Sequence, residues 1–176
     1  MKKLIIIFNC SLALMFLQSC QRGKNADNAG LNGPKSANDS LFIINEGGHD
    51  FAIYLPKDLM IENHAEIRFN DATGDMHLKI GDKFWIITSQ EAVEMDAIKK
   101  EVNENMLFTS RVVEESDNGI LYQRLLPDGK AYDYNYRGIA VVNGKTYVFR
   151  TSEEGEFSRE NVELMKTAIE SVHHRS

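Results

Sequence analysis

Imidazole side chains are the first candidates for metal binding or proton transfer at neutral pH. The chain has five histidines: His49, His64, His77, His173 and His174. None lies in a His-x-x-x-His or Glu-x-x-His spacing inside a predicted helix, where a zinc enzyme would place its ligands. The last two follow the end of the final helix, where a cation favours the helix dipole. We expect five solvated surface histidines and no metal site.

Paired carboxylates are the second kind of candidate, because two acids with separated pKa values can serve as general acid and base. Glu114 and Asp133 would form such a pair if the chain were an envelope hydrolase, which is one of two functions considered; the other is a non-catalytic binding protein. The chain has 26 acidic residues, so a pair of this kind is always available. Asp71 and Asp75 could ligate Ca²⁺, but their spacing favours a plain Asp/Gly turn over an EF-hand loop. The sequence contains no Gly-x-Ser-x-Gly, P-loop or Rossmann motif, and we expect no cofactor.

Tyr132, Tyr134 and Tyr136 alternate, so a regular strand would place their three rings on one face. Ile139 and Val141 would then lie opposite them, unless a bulge at Arg137-Gly138 brought them to the same side. One interpretation is a row of core and rim aromatics. The other is an aromatic surface for a ligand or partner, because tyrosine offers a large rigid contact with a polar end.

The amino terminus has the composition of a secretory signal. Two lysines precede an apolar run at residues 4–17, which is too short for a comfortable transmembrane helix. The chain has only two cysteines, Cys10 in this run and Cys20 just after it. The domain that follows Cys20 therefore has no thiol, which excludes disulfides, thiolate metal sites and a cysteine nucleophile there.

The residues Leu17-Gln18-Ser19-Cys20 resemble the lipobox of bacterial lipoproteins, in the looser form found in Bacteroidetes. The resemblance implies cleavage between Ser19 and Cys20, diacylation of the Cys20 thiol and acylation of the new amino terminus. Several acyl chains such as palmitate, each worth about 0.8 kcal/mol per buried CH₂, would anchor the protein to a membrane. Residues 1–19 are then a signal peptide. The missing acidic run after Cys20 favours a periplasm-facing location in the cell envelope.

Charge excludes one class of partner. Removal of the signal takes away Lys2 and Lys3 and leaves 18 basic and 26 acidic residues, a net charge of −8. Such an acidic protein avoids the phosphate backbone. We therefore expect no nucleic acid as a partner.

Residues 20–40 are predicted to be the lipidated cysteine and a flexible tether, because they are rich in Asn, Gly, Ala and Asp and contain one large apolar side chain. Asp39-Ser40-Leu41 also matches an O-glycosylation pattern of Bacteroidetes, which makes Ser40 a candidate acceptor. Residues 41–176 are long enough for one globular domain with its own core.

Alternating apolar residues and turn signals predict an antiparallel sheet in this domain. Strands are expected at 41–44, 51–55, 64–69, 76–80 and 84–87, and near 107–115, 119–126, 130–142 and 145–152. Asn143-Gly144 is the strongest hairpin signal. A helical turn is expected at 59–61, a helix near 90–105 behind a capping box at Thr88 and Glu91, and a final helix capped by Ser158. The fold class is α+β, with helices packed on the sheet.

The order of these elements resembles the PsbP/DcrB-type fold, an α/β/α sandwich. The resemblance rests on Leu55-Pro56, the buried strand at 84–87, the Tyr-rich meander ending in Asn143-Gly144, and the final helix closing on Ile169 to Val172. It implies an accessory or binding protein without a catalytic site. We therefore expect a non-enzymatic, lipid-anchored envelope protein that binds an unidentified envelope protein or a small ligand.

Overall fold

The computed structural model of the chain describes residues 36–105 and 107–175. Within these ranges the elements are β1 (Asp39–Glu46), β2 (His49–Pro56), α1 (Lys57–Glu62), β3 (Ala65–Asn70), β4 (Asp75–Ile80), β5 (Phe84–Gln90), α2 (Met95–Asn103), β6 (Thr109–Glu115), β7 (Gly119–Leu125), β8 (Ala131–Val142), β9 (Lys145–Thr151) and α3 (Arg159–Glu170). Seven strands form an antiparallel sheet in the order β3-β4-β5-β9-β8-β7-β6, and β1 and β2 form a separate hairpin. The fold is α+β, as predicted.

The main core lies between one face of the large sheet and a layer formed by α3 and the β1–β2 hairpin. Phe51 and Ile53 from β2, Phe149 from β9, and Val162 and Met165 from α3 are all fully buried there. Burial of these apolar surfaces provides the main driving force for docking the layer on the sheet.

Hydrogen bonds also fix the hairpin to the end of α3. Ala52 and His173 exchange two backbone bonds of 2.9 and 3.0 Å, and the Tyr54 amide donates to Ser171 Oγ at 2.8 Å. The hairpin is therefore joined to the domain by polar contacts as well as by its apolar face.

Helix α2 lies on the opposite face of the sheet. Met95, Ile98 and Val102 pack there on Ile120 of β7 and Val148 of β9. The helix covers only the half of the face formed by the later strands, so the outer surface of β3, β4 and β5 remains without a helix.

Several local signals are confirmed. Asn143 and Gly144 both have positive φ, at 52° and 74°, as a type I′ turn requires. Ser158 caps α3, because its hydroxyl accepts a bond of 3.3 Å from the Asn161 amide. Strand β5 lies inside the sheet between β4 and β9, as its run of apolar residues predicts, but no helix of the described residues covers its Trp85 face, which was expected to be covered.

The capping box at Thr88 is wrong. Thr88 is buried inside β5 and pairs with Met76 on one side and Phe149 on the other. The strand continues to Gln90, and α2 begins only at Met95. Pairing with two neighbouring strands stabilises the extended backbone here and overrides the local helix-start pattern.

Candidate functional site

The open half of the sheet face contains a groove of about 600 Å³. A volume of this size lies within the range of small-molecule sites, about 300–1,000 Å³. The polar side chains that line it are Glu66, Arg68, Asn70, Asp71, His77, Lys79 and Glu154, and Trp85 lies among them.

Strand register brings these side chains together. Glu66 lies opposite Lys79, and Arg68 lies opposite His77, across β3 and β4. Lys79 in turn lies opposite Trp85 across β4 and β5. Because side chains alternate along a strand, all five point away from the main core.

Trp85 forms the aromatic part of the groove. The Lys79 ammonium lies 4.7 Å from the centroid of its indole, in a cation–π contact, and the centroid of the His77 ring lies 6.2 Å away. Trp85 Nε1 is buried and has no hydrogen-bond partner among the described residues. An indole edge of this kind usually finds a partner when it is buried.

Two loops bound the groove at opposite ends of β4. At one end is the β3–β4 turn, which Gly74 closes with a φ of 74° and an amide that donates to Asn70 O at 2.8 Å. At the other end the Ser152 amide donates to Trp85 O at 3.0 Å. Ser152 Oγ accepts a bond of 3.2 Å from the Glu154 amide, which places Glu154 beside the tryptophan.

The structure separates the three tyrosines of the candidate partner surface. Tyr136 is 2 % exposed and lies in the main core, and Tyr134 packs at the edge of that core. Burial raises the pKa of Tyr136, so its phenol stays neutral. Tyr132 is 38 % exposed and stacks on Phe108, with centroids 5.4 Å apart, and it donates to Glu156 at 2.9 Å. The three rings therefore form no continuous exposed surface within the described residues.

The register of β8 also decides where its apolar residues lie. Pairing with β9 continues without a shift from Arg137 to Val142. Ile139 consequently packs with the apolar residues of α2, Ile120 and Val148, on the face opposite Tyr136.

The two carboxylates of the hydrolase alternative lie on opposite faces of the sheet. Glu114 is opposite Leu121 of the main core and forms an ion pair with Lys166 of α3. Asp133 lies on the other face, paired with Arg124. These two acids cannot share a substrate.

Burial corrects one prediction about the histidines. His49 is 3 % exposed, so it is not a surface residue, and rings of Phe51, Phe69 and Tyr147 surround it.

Asp75 of the proposed turn pairs with Arg150 at 3.1 Å. Within residues 36–105 and 107–175 no group of three His, Cys, Asp or Glu side chains could hold a metal ion.

The remaining predicted site residues lie at the amino terminus. Ser40 is half-buried in β1, opposite Leu55. Ser19 and Cys20 lie outside the described residues. The helices of the described part are all too short or too polar to cross a membrane.

The groove was not predicted from the sequence. The polar alternation of Glu66 and Arg68 on β3 and of His77 and Lys79 on β4 was visible in the sequence, and it marks one polar face of a hairpin. What the sequence did not give is the neighbour of that hairpin, which is the β5 strand carrying Trp85.

Comparisons with protein-family models, with curated proteins and with solved structures found no match to this chain.

Proposed function

We propose that the chain is a lipid-anchored protein of the cell envelope that faces the periplasm and binds a small ligand without catalysing a reaction. The observation that supports ligand binding is the groove beside Trp85, which combines a suitable volume with an aromatic side chain and several polar groups. Such a combination is typical of ligand sites. The lipobox at Cys20 supports the anchor, since it predicts several acyl chains on the amino terminus.

We also propose that the domain has the PsbP/DcrB-type fold. Support comes from the order of the elements and from the placement of α3 and α2 on opposite faces of one antiparallel sheet. This family assignment favours an accessory or binding role, and it contributes no residue to the groove.

Trp85 allows a direct test, because it is the only tryptophan in the chain. Its fluorescence therefore reports on the groove alone. We would screen sugars, amino acids, nucleotides and fatty acids against the full-length protein in detergent, recording tryptophan emission and the midpoint of thermal unfolding. A true ligand should change both, because binding to the native state raises its stability by mass action.

A matched pair of variants completes the test. Trp85→Ala should abolish the stabilisation by the ligand, whereas Ile61→Ala, at an exposed position on α1, should retain it. Binding that survives Trp85→Ala, or a screen in which no compound class shifts the unfolding midpoint, would contradict a ligand site in the groove.

A further inference from the structure

A row of basic side chains, interrupted by Ile87, crosses the sheet on the face that carries both the groove and α2. Cross-strand pairing joins Arg68 to His77, His77 to Ile87, Ile87 to Arg150 and Arg150 to Arg137. The row therefore runs from the edge strand β3 through β4, β5 and β9 to β8. Each arginine of the row pairs with an acid on the same face: Arg68 with Glu66, Arg150 with Asp75 and Arg137 with Glu101.

The two ends of this row differ in how they are neutralised. Arg150 pairs with Asp75 at 3.1 Å and Arg137 with Glu101 at 2.7 Å, and both arginine side chains are largely buried. Arg68, at the groove end, has only an exposed pair with Glu66, and its side chain is 78 % exposed. An exposed pair of this kind is weak, so Arg68 can exchange its partner at little cost.

Lys79 is the second basic group available in the groove. It forms no ion pair with a described residue, and its ammonium lies over the indole of Trp85. Arg68 and Lys79 lie on neighbouring strands, two residues apart along the hairpin register. Together they could donate charge-assisted hydrogen bonds to one carboxylate.

The same groove also holds acceptors and an apolar surface. Glu66, Asp71 and Glu154 can accept hydrogen bonds from hydroxyl groups, and Asn70 can donate through Nδ2, since its Oδ1 already accepts a bond of 3.0 Å from the Ala72 backbone amide. The indole of Trp85 offers a flat surface for the C–H face of a saturated ring once the Lys79 ammonium, which lies over it, turns to the ligand carboxylate. A ligand that uses all of these groups has a ring, several hydroxyls and a carboxylate.

We infer that the groove binds an acidic saccharide, with a sugar ring against Trp85 and its carboxylate held by Arg68 and Lys79. This inference rests on the proposed ligand-binding function and specifies its ligand class. The saccharide carboxylate replaces Glu66 as the partner of Arg68, and the sugar hydroxyls donate to Glu66 and Glu154.

A charged sugar and its neutral ester provide the sharpest test. The probes are a linear trimer of galacturonic acid and the same trimer with every carboxyl methyl-esterified, so that the rings stay and the charge is removed. Each is titrated into the full-length protein in a detergent without a sugar headgroup. Trp85 emission and equilibrium dialysis both measure the dissociation constant. We expect the acid to bind at least tenfold more tightly than the ester, because the ester has no carboxylate to accept charge-assisted hydrogen bonds from Arg68 and Lys79.

Two arginine variants test the placement of the carboxylate. Arg68→Gln should weaken binding of the acid about tenfold or more and leave the ester unchanged. Arg159→Gln is the matched control, because Arg159 also forms an exposed pair with a glutamate at 2.7 Å, but on α3. It should leave both dissociation constants unchanged.

The outcomes separate this inference from the proposed function. Equal binding of acid and ester would overturn the acidic ligand class and support a groove for neutral sugars. Binding of the acid that is unaffected by Arg68→Gln would overturn the assigned carboxylate position. If neither trimer binds, the saccharide inference is wrong, while the wider ligand screen still decides whether the groove is a ligand site.

Discussion

Arg124 and Asp133 form a buried ion pair across β7 and β8. Arg124 Nε donates to Asp133 Oδ1 at 2.8 Å, and Nη2 donates to Oδ2. The two residues are only 7 % and 3 % exposed. Asn135 Nδ2 donates a further bond of 2.8 Å to Asp133 Oδ1, and the guanidinium lies 4.8 Å from the ring centroid of Phe108. The bond to Asp133 raises the pKa of Arg124, so a charged arginine is held inside the protein by one carboxylate.

Asp133→Asn should therefore reduce the free energy of unfolding by about 3–5 kcal/mol, because it leaves the Arg124 charge buried without its counter-charge. Urea denaturation of the two proteins measures the difference. The double variant Arg124→Met with Asp133→Leu should recover part of the loss, since neither charge remains.

An exposed pair supplies the control. Glu163→Gln removes the partner of Arg159 on the surface of α3 and should cost less than about 1 kcal/mol. A cost for Asp133→Asn as small as that for Glu163→Gln would contradict the buried character of the pair.

His49 should make stability depend on pH. Burial among aromatic rings lowers its pKa below the usual 6.5, and Lys145 lowers it further, while the nearby backbone of Gly47, Thr88 and Glu46 opposes the change. Neither ring nitrogen forms a hydrogen bond of ordinary geometry with a described residue. Between pH 6.5 and the lowered pKa of the folded state, the His49 imidazole is protonated in the unfolded chain but neutral in the folded protein. The free energy of unfolding is therefore unaffected by His49 protonation above pH 6.5. It decreases as the pH falls from 6.5 to the lowered pKa of His49 in the folded state.

His49→Phe should flatten the pH dependence below pH 6.5, because a neutral ring replaces the titrating one. It should also remove the cost of burying ring nitrogens that lack hydrogen bonds of ordinary geometry, about 1–3 kcal/mol for an unsatisfied group. The free energy of unfolding is measured at several pH values in urea. His174→Phe, at an exposed position, is the control and should keep the wild-type slope. An unchanged slope in His49→Phe would show that His49 is not the titrating group.

Features that depend on neighbouring residues in the chain could be predicted from the sequence, whereas features that depend on long-range strand pairing could not. The Asn143-Gly144 turn and the Ser158 cap depend on residues next to each other in the chain, and both are confirmed. The helix start at Thr88 failed because pairing with β4 and β9 decides the backbone there. Burial of His49 depends likewise on Phe69 and Tyr147, which are distant in sequence.

The groove is a product of register in the same way. Arg68, Lys79 and Trp85 come from three strands, and their alternation predicts a shared face without predicting which strands are neighbours. The order of seven strands places β5 beside β4 on one side and beside β9, which begins 61 residues after β5 begins, on the other. That long-range pairing is what completes the site.

Residues 36–39 should contribute to the stability of the folded domain. The Lys57 amide donates to Asn38 O at 2.9 Å, and Asn38 Nδ2 donates to Asp58 at 3.0 Å. A chain that begins at Ser40 loses both bonds and the pairing of Asp39 with Pro56.

We expect the chain that begins at Ser40 to fold, because the main core uses residues from Ile44 onward. Its free energy of unfolding should be about 1–2 kcal/mol lower than that of the chain that begins at Ser36, as expected for two lost hydrogen bonds. Urea denaturation of the two truncated proteins compares them. Equal stability would show that residues 36–39 contribute nothing to the fold.

Cys20 should be the site of the membrane anchor. Cys20→Ala removes the thiol that would carry the diacylglycerol, so the variant should incorporate no labelled palmitate and should keep its signal peptide. Without several acyl chains at about 0.8 kcal/mol per buried CH₂, only the uncleaved apolar run can hold the protein at a membrane. Cys10→Ala is the matched control, because it removes the only other thiol of the chain and leaves the lipobox intact. It should be labelled and cleaved like the wild type. Palmitate labelling that persists in Cys20→Ala and disappears in Cys10→Ala would show that Cys10 carries the lipid, which would contradict the lipobox.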